Sequence, residues 1–86
     1  MYTVRDRKAL GYLPPFLAAN RLTAKRLLID SARENGTLLG MHPEDFELYE
    51  IGGFDEQSGE VNPDSHEFLG KLSDIMEEAN ETRQLP

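Results

Sequence analysis

The sequence predicts a small α+β fold: β-hairpin, helix, β-hairpin, helix, with one antiparallel sheet covered by helices. Three observations predict it. Alternating apolar and polar residues at 2–6 and 46–51 read as strands. Apolar residues recur at helical spacing after Asn20 and again after Asn62–Asp64. Turn signals at Asp6–Lys8, Asn35-Gly36, Gly52-Gly53 and Gly59 separate these segments. With 86 residues there is room for one core, so residues 1–80 are expected to form a single domain and residues 81–86 a frayed tail.

YTVRD (2–6) carries β-branched Thr3 and Val4 in an alternating pattern, the mark of a strand. Asp6-Arg7-Lys8 supplies a turn, and ALGYL (9–13) the returning strand. Pro14 and Pro15 have no amide hydrogen, so ladder pairing should end there, with Phe16 and Leu17 dropping into the core. Asn20 caps a helix that Asn35-Gly36 stops. Within it, Ala24, Leu27, Leu28 and Ala32 share the inward face, while Arg26, Asp30 and Arg33 face away. Residues 37–45 read as a loop through Gly40 and His42-Pro43.

FELYEI (46–51) sets Phe46 and Leu48 on one face and Tyr49 and Ile51 on the other. That pattern predicts a strand covered on both faces, inside the sheet or at a subunit contact. Gly52-Gly53 marks a bulge or bend, and FDEQSGEV a strand end, a turn with Gly59 at positive φ, and a return strand. Asn62-Pro63-Asp64 opens the second helix, capped by Asn62 with Pro63 at the first helical position, or by Asp64 with Glu67. Phe68, Leu69, Leu72, Ile75, Met76 and Ala79 form its apolar face.

Composition narrows the function. Hydrophobic residues make up 38% of the chain and charged residues 29%, the balance of a folded soluble domain. No apolar run approaches a membrane span, and Arg5–Lys8 interrupts any signal-peptide pattern. The absence of cysteine removes disulfides, thiolate metal sites and cysteine nucleophiles. Net charge is −7, but unevenly spread: residues 1–40 hold seven basic and three acidic side chains, residues 41–86 two basic and thirteen acidic. Such segregation suggests a basic binding face, an acidic face, or two faces that meet between subunits.

The stretch HPEDFELYEIGGFDEQSGEV (42–61) holds seven acids in twenty residues and resembles a calcium loop. The spacing fails: from Asp55, the third, fifth and twelfth loop positions are Gln57, Gly59 and His66, where oxygen ligands are needed. Its plainer reading is a hairpin turn with acidic flanks. His42 and His66 lack an HxH or HxxxH companion, no glycine-rich phosphate loop is present, and no serine has a recognisable histidine base. Carboxylate pairs such as Glu44/Asp45 are exposed by pattern. No catalytic residue, metal ligand set or cofactor is predicted.

The basic half offers the stronger candidates. Arg21 and Lys25 lie one turn apart at the N-terminal end of the first helix, with no acid in reach along that helix; repulsion and the helix dipole would both ease on docking an anion. Arg26 and Arg33 flank Asp30, which reads more plainly as helix-surface pairing. Arg5, Arg7 and Lys8 cluster on the first hairpin, near Tyr2, Tyr12 and Phe16. Cations interleaved with aromatics suit single-stranded nucleic acid. The candidate nucleic-acid-binding residues are therefore Arg5, Arg7, Lys8, Arg21, Lys25 and Arg26.

Tyr2–Asp6, Pro15-Phe16, Ala24, Arg26 and, above all, HPEDFELYEIGGFDEQSG resemble the small nonstructural protein of gokushovirus-type microviruses, phages with single-stranded DNA genomes. The likeness spans residues 2–61; Gly53 adds a second glycine to the family's IG. The resemblance implies a cytoplasmic protein of the infected bacterial host that binds DNA or assists the switch to single-stranded genome synthesis and packaging. It brings no catalytic residues. The expected partners are DNA, with the single strand favoured, a second copy in a homodimer, and a phage or host replication or packaging protein, with no membrane. The alternative is a protein-interaction adaptor working through the acidic half or the stripe Phe68–Leu72–Met76.

Overall fold

The computed structural model describes residues 1–34, 36–63 and 65–84. In chain order it contains β1 (Tyr2–Asp6), β2 (Gly11–Tyr12), α1 (Arg21–Ala32), a short α2 (Leu38–Met41) and a 3-10 turn (Pro43–Asp45). Then follow β3 (Phe46–Glu50), β4 (Gly53–Phe54), β5 (Val61–Asn62), β6 (Glu67–Lys71) and α3 (Leu72–Gln84). Four strands make one antiparallel sheet in the order β2-β1-β3-β6, and β4-β5 forms a separate two-stranded ladder. The α+β class and the antiparallel sheet match the expectation from sequence.

Strand alternation decides where the core sits. Val4 pairs with Leu48 and Asp6 with Phe46, so the even-numbered residues of β1 and β3 share one face. That face meets Ala24, Leu28, Ile29 and Ala32 of α1 and Leu72 and Ile75 of α3, all buried. Leu48 and Leu72 are completely enclosed. Arg5, Glu47, Tyr49 and Phe68 point to the opposite face, where Phe68 and Tyr12 stay half exposed. The helices cover one side of the sheet only.

The largest departure concerns the second helix. Residues 67–71, expected within it, form β6, and the helix starts at Leu72. The apolar periodicity of 68–79 suits a helix, but β3 has a free edge, and pairing Glu50 with Glu67 and Tyr49 with Phe68 fills it. Tertiary pairing overrides local pattern here. Asn62 belongs to β5 instead of capping a helix, and Asp64 lies outside the described residues. The apolar stripe is accordingly divided: Leu72 is buried and Phe68 sits on the other side of the sheet. The tail expected from residue 81 falls partly outside the described residues, since α3 runs to Gln84.

Smaller departures have local causes. Leu27 is 44% exposed and Ile29 takes its place in the core, a rotation of the buried face of α1 by roughly 50°. Leu17 is also exposed, whereas Phe16 packs on Tyr2 with ring centroids 5.9 Å apart. Pairing does not end at the prolines: the Tyr2 and Phe16 amides and carbonyls exchange hydrogen bonds of 2.9 and 2.8 Å, resuming a bridge one residue past Pro15. The return strand is shorter than expected because residues 7–10 are spent on the turn. Asn20 caps α1 as expected, its side chain accepting from the Thr23 amide at 2.9 Å.

The acidic signature segment has a structural explanation at each step. Pro43 opens the 3-10 turn, and the Asp45 carbonyl accepts from the Arg7 amide at 2.9 Å, tying the turn to the first hairpin. Asp55 accepts from the Gln57 and Ser58 amides at 2.9 and 3.3 Å, and those backbone donors hold its carboxyl below the ordinary value. The Gly59 amide then closes on the Asp55 carbonyl at 2.7 Å with Gly59 at φ +75°. Asp55 is thus the pivot of a tight turn, which is what the failed calcium spacing suggests.

Candidate nucleic-acid interface

The six predicted cations do not gather into one patch. Arg5 lies on the bare face of the sheet, its guanidinium 3.4 Å from Glu47 of the neighbouring strand. Arg7 and Lys8 are exposed in the turn that follows, where Asp6 accepts from the Lys8 and Ala9 amides at 2.9 and 3.2 Å. These three share the first hairpin, as the sequence suggests.

Arg21 is placed differently. No acid is in reach along its helix, but the sheet supplies two: Glu50 at 3.1 Å and Glu67 at 2.6 Å. Glu50 and Glu67 are directly cross-strand, an arrangement that repels when both are charged. The guanidinium between them removes that repulsion. Hydrogen bonding to Arg21 holds the Glu50 carboxyl below its ordinary value, and the Arg21 guanidinium is shifted up, chiefly by its hydrogen bond to Glu50. Tyr2, raised chiefly by burial and then by the Glu50 charge, completes the cluster. Arg21 is therefore a clamp on the sheet's end before it is anything else.

Lys25 and Arg26 border a groove of about 450 Å³ between α1 and α3, floored by Ile29, Ile75 and Ala79 with Leu22 at its rim. Among the described residues Asp30 forms no ion pair with Arg26 or Arg33, so the expected helix-surface pairing is not made. Arg5 thus lies on the side of the sheet opposite α1 and its cations.

The bare face carries a constellation that the linear sequence does not reveal. Tyr49 sits 4.8 Å from His66, 5.6 Å from Phe68 and 6.1 Å from Tyr12, centroid to centroid, and Tyr12 lies 6.0 Å from His66. Four rings from β2, β3, β6 and the segment before β6 thus form one cluster. Of the aromatics that proximity to cations singles out, only Tyr12 is here; Tyr2 is in the core with Phe16 against it. The outward position of Tyr49 in FELYEI was the available signal. Phe68 was hidden by its assignment to a helix, and His66 by its distance along the chain.

The histidines are used separately. The α1–α3 groove contains neither, and a smaller pocket between the first hairpin and the 3-10 turn contains His42 with Lys8 and Asp45. His42, Glu44 and Asp45 bring one oxygen or nitrogen each within 4.8 Å of one another on the exposed turn, a grouping common on acidic surfaces. His42 Nδ1 and Glu44 are 3.8 Å apart, beyond hydrogen-bond length.

An α+β domain of this size, with an antiparallel sheet covered on one side and bare on the other, is the class of protein the structure defines. The chain belongs to the Phage ORF5 protein family, whose model matches residues 1–75, every strand and the start of α3. It is a phage protein. No curated protein and no solved structure matches it. Among the described residues no helix is long and apolar enough to cross a membrane.

Proposed function

We propose that this phage protein is a non-catalytic, nonstructural protein of a gokushovirus-type microvirus that binds DNA during the switch to single-stranded genome synthesis and packaging, in the cytoplasm of the infected host. The observation that carries the reading is the basic hairpin: Arg5, Arg7 and Lys8 fall within four residues, with Arg7 and Lys8 exposed, on a chain whose net charge is −7. Adjacent cations in a solvent-facing turn repel one another, and binding phosphates relieves that repulsion while releasing counterions. Lys25 and Arg26 offer a second basic edge across the molecule. Arg21 contributes by holding the sheet together.

The test is binding of a labelled single-stranded oligonucleotide across a salt series, with duplex of the same sequence alongside and oligomer mass measured in parallel. Each phosphate contact on a single strand contributes about −0.7 to the slope of log K against log salt. Replacing Arg7 and Lys8 by Gln should lower that slope by about 1.4, and replacing Lys25 and Arg26 identifies whether the far edge takes part. A well-folded sample that binds no DNA at low salt discards the reading.

A second reading, a protein-interaction adaptor, is favoured by the groove beside α1. Leu22 at its rim is 63% exposed beside Lys25 and Arg26, a combination that suits an acidic amphipathic segment of a replication, capsid or host protein. Loss of partner capture on Leu22→Glu, with DNA binding unchanged, would establish it alongside the first.

A further inference from the structure

We infer that the bare face of the sheet is a base-stacking platform for single-stranded nucleic acid, with Tyr12, Tyr49, His66 and Phe68 receiving bases and Arg5 and Lys71 receiving phosphates. The inference rests on the DNA-binding reading and deepens it by naming the surface and the strandedness.

Register places the groups. Arg5 is paired with Tyr12 on one side and Glu47 on the other, and Glu47 with Lys71, so Tyr12, Arg5, Glu47 and Lys71 form one row across the sheet. Thr3, Tyr49 and Phe68 form the next row, two residues along β1 and β3 and so about 7 Å away there, and three residues along β6, where a bulge shifts the register. A charged row and an aromatic row thus run side by side. The single acid on the charged row, Glu47, has a side chain only 14% exposed and is engaged by Arg5. Arg5 and Lys71 are the cations of that row.

The rings themselves argue for a ligand. Tyr12 and Phe68 are 52% and 51% exposed, on the face of the sheet that the helices do not cover. Within the cluster the rings meet at 36–79°, tilted or edge-on and not parallel. A flat array of this kind suits unpaired bases, each of which has a π face; a duplex keeps its bases stacked inside and could present only its backbone. Recognition on this surface is tolerant of sequence, because stacking asks for a ring and not for a particular edge.

The experiment uses the full chain and two labelled probes of equal length, oligothymidylate and an abasic sugar–phosphate strand. Tight binding of the first and weak binding of the second is expected. Tyr12→Ala and Phe68→Ala, at half-exposed positions where folding is preserved, should each weaken oligothymidylate binding about 5- to 150-fold while leaving the salt slope unchanged. Phe68→Trp should retain binding and, in a chain with no other tryptophan, show quenched fluorescence as a base stacks.

Equal affinity for both probes, or variants that bind as the parent does, overturns the platform while leaving DNA binding by the basic residues intact. A folded protein that binds neither probe fails both readings together. If instead Phe68→Ala halves the particle mass, the face is a contact between copies and the platform is overturned.

Discussion

Gly52 and Gly53 are adjacent in sequence and should behave as opposites. Gly52 has φ +140°, and a Cβ built there would run into the Asn62 carbonyl oxygen, with the Asn62 carbon at 3.0 Å and Pro63 Cα at 3.1 Å. Gly53 has open space around the same position. For a non-glycine residue the backbone region at Gly52 costs about 1–3 kcal/mol before any collision is counted. The obstacle is backbone, so relief requires moving β5, and β5 is held by the Gly53–Asn62 pairing. Gly52 is fastened too, since the Met1 ammonium donates to its carbonyl at 2.6 Å and the Ile51 amide donates to the Met1 carbonyl at 2.9 Å. A cost of at least about 2 kcal/mol follows for Gly52→Ala. For a domain of this length that lowers Tm by roughly 8–16 °C. Gly53→Ala should change stability by less than about 1 kcal/mol, in the stabilising direction if anything, because it restricts the unfolded chain. Urea titration followed by circular dichroism measures both. Equal midpoints for the two variants would refute the argument and show that the β4–β5 ladder yields freely.

Three further outcomes are expected. Leu48→Ala removes a completely enclosed side chain at the centre of the sheet and should cost about 2–5 kcal/mol, read as a lower urea midpoint at unchanged m-value. On the acid side, the Glu50 carboxyl is depressed by Arg21, so its stabilising contribution is present above the ordinary value of 4.5 and fades as pH falls below it; Arg21→Gln should both lower the midpoint at pH 7 and flatten that acid-side loss. On the alkaline side, Tyr2 is shifted above its ordinary 10.0, so its contribution is full below pH 10 and is lost as pH climbs past the raised value; Tyr2→Phe should remove that alkaline limb from a stability-versus-pH curve.

How much of this was readable in the sequence depends on whether a residue's fate is decided locally. Asn20 capping, the Gly59 turn and the strand at FELYEI follow from nearest neighbours, and each is found where local chemistry puts it. The start of α3 was not readable, because Phe68 and Leu69 suit a helix and a strand equally and the free edge of β3 decides between them. The inward turn of Ile29 in place of Leu27 is of the same kind, being set by which side of α1 faces Val4 and Leu48. For the candidate site, the hairpin cations were legible as a run. The four-ring cluster was not, since its members come from residues 12, 49, 66 and 68 and meet only once β6 is drawn against β3.

The segregation of charge along the chain acquires a physical role once the strand order is known. Strand β1, from the basic half, lies between β2 and β3, and β3 and β6 come from the acidic half. Pairing the halves therefore brings Arg5 to Glu47, and α1 brings Arg21 to Glu50 and Glu67. Opposite signs that look in sequence like two separate faces are partly consumed inside one sheet, without a second subunit. Of the six candidate cations, Arg7 and Lys8 on the hairpin and Lys25 and Arg26 beside the groove form no ion pair among the described residues, and their removal, like that of Lys71 on the bare face, should move a salt slope. Arg5 and Arg21 stand apart from them: each already holds a carboxylate, so substituting either tests the fold as well as the ligand. A mutational scan that treated all six cations alike would mistake the loss of the sheet's own ion pairs for the loss of a binding site.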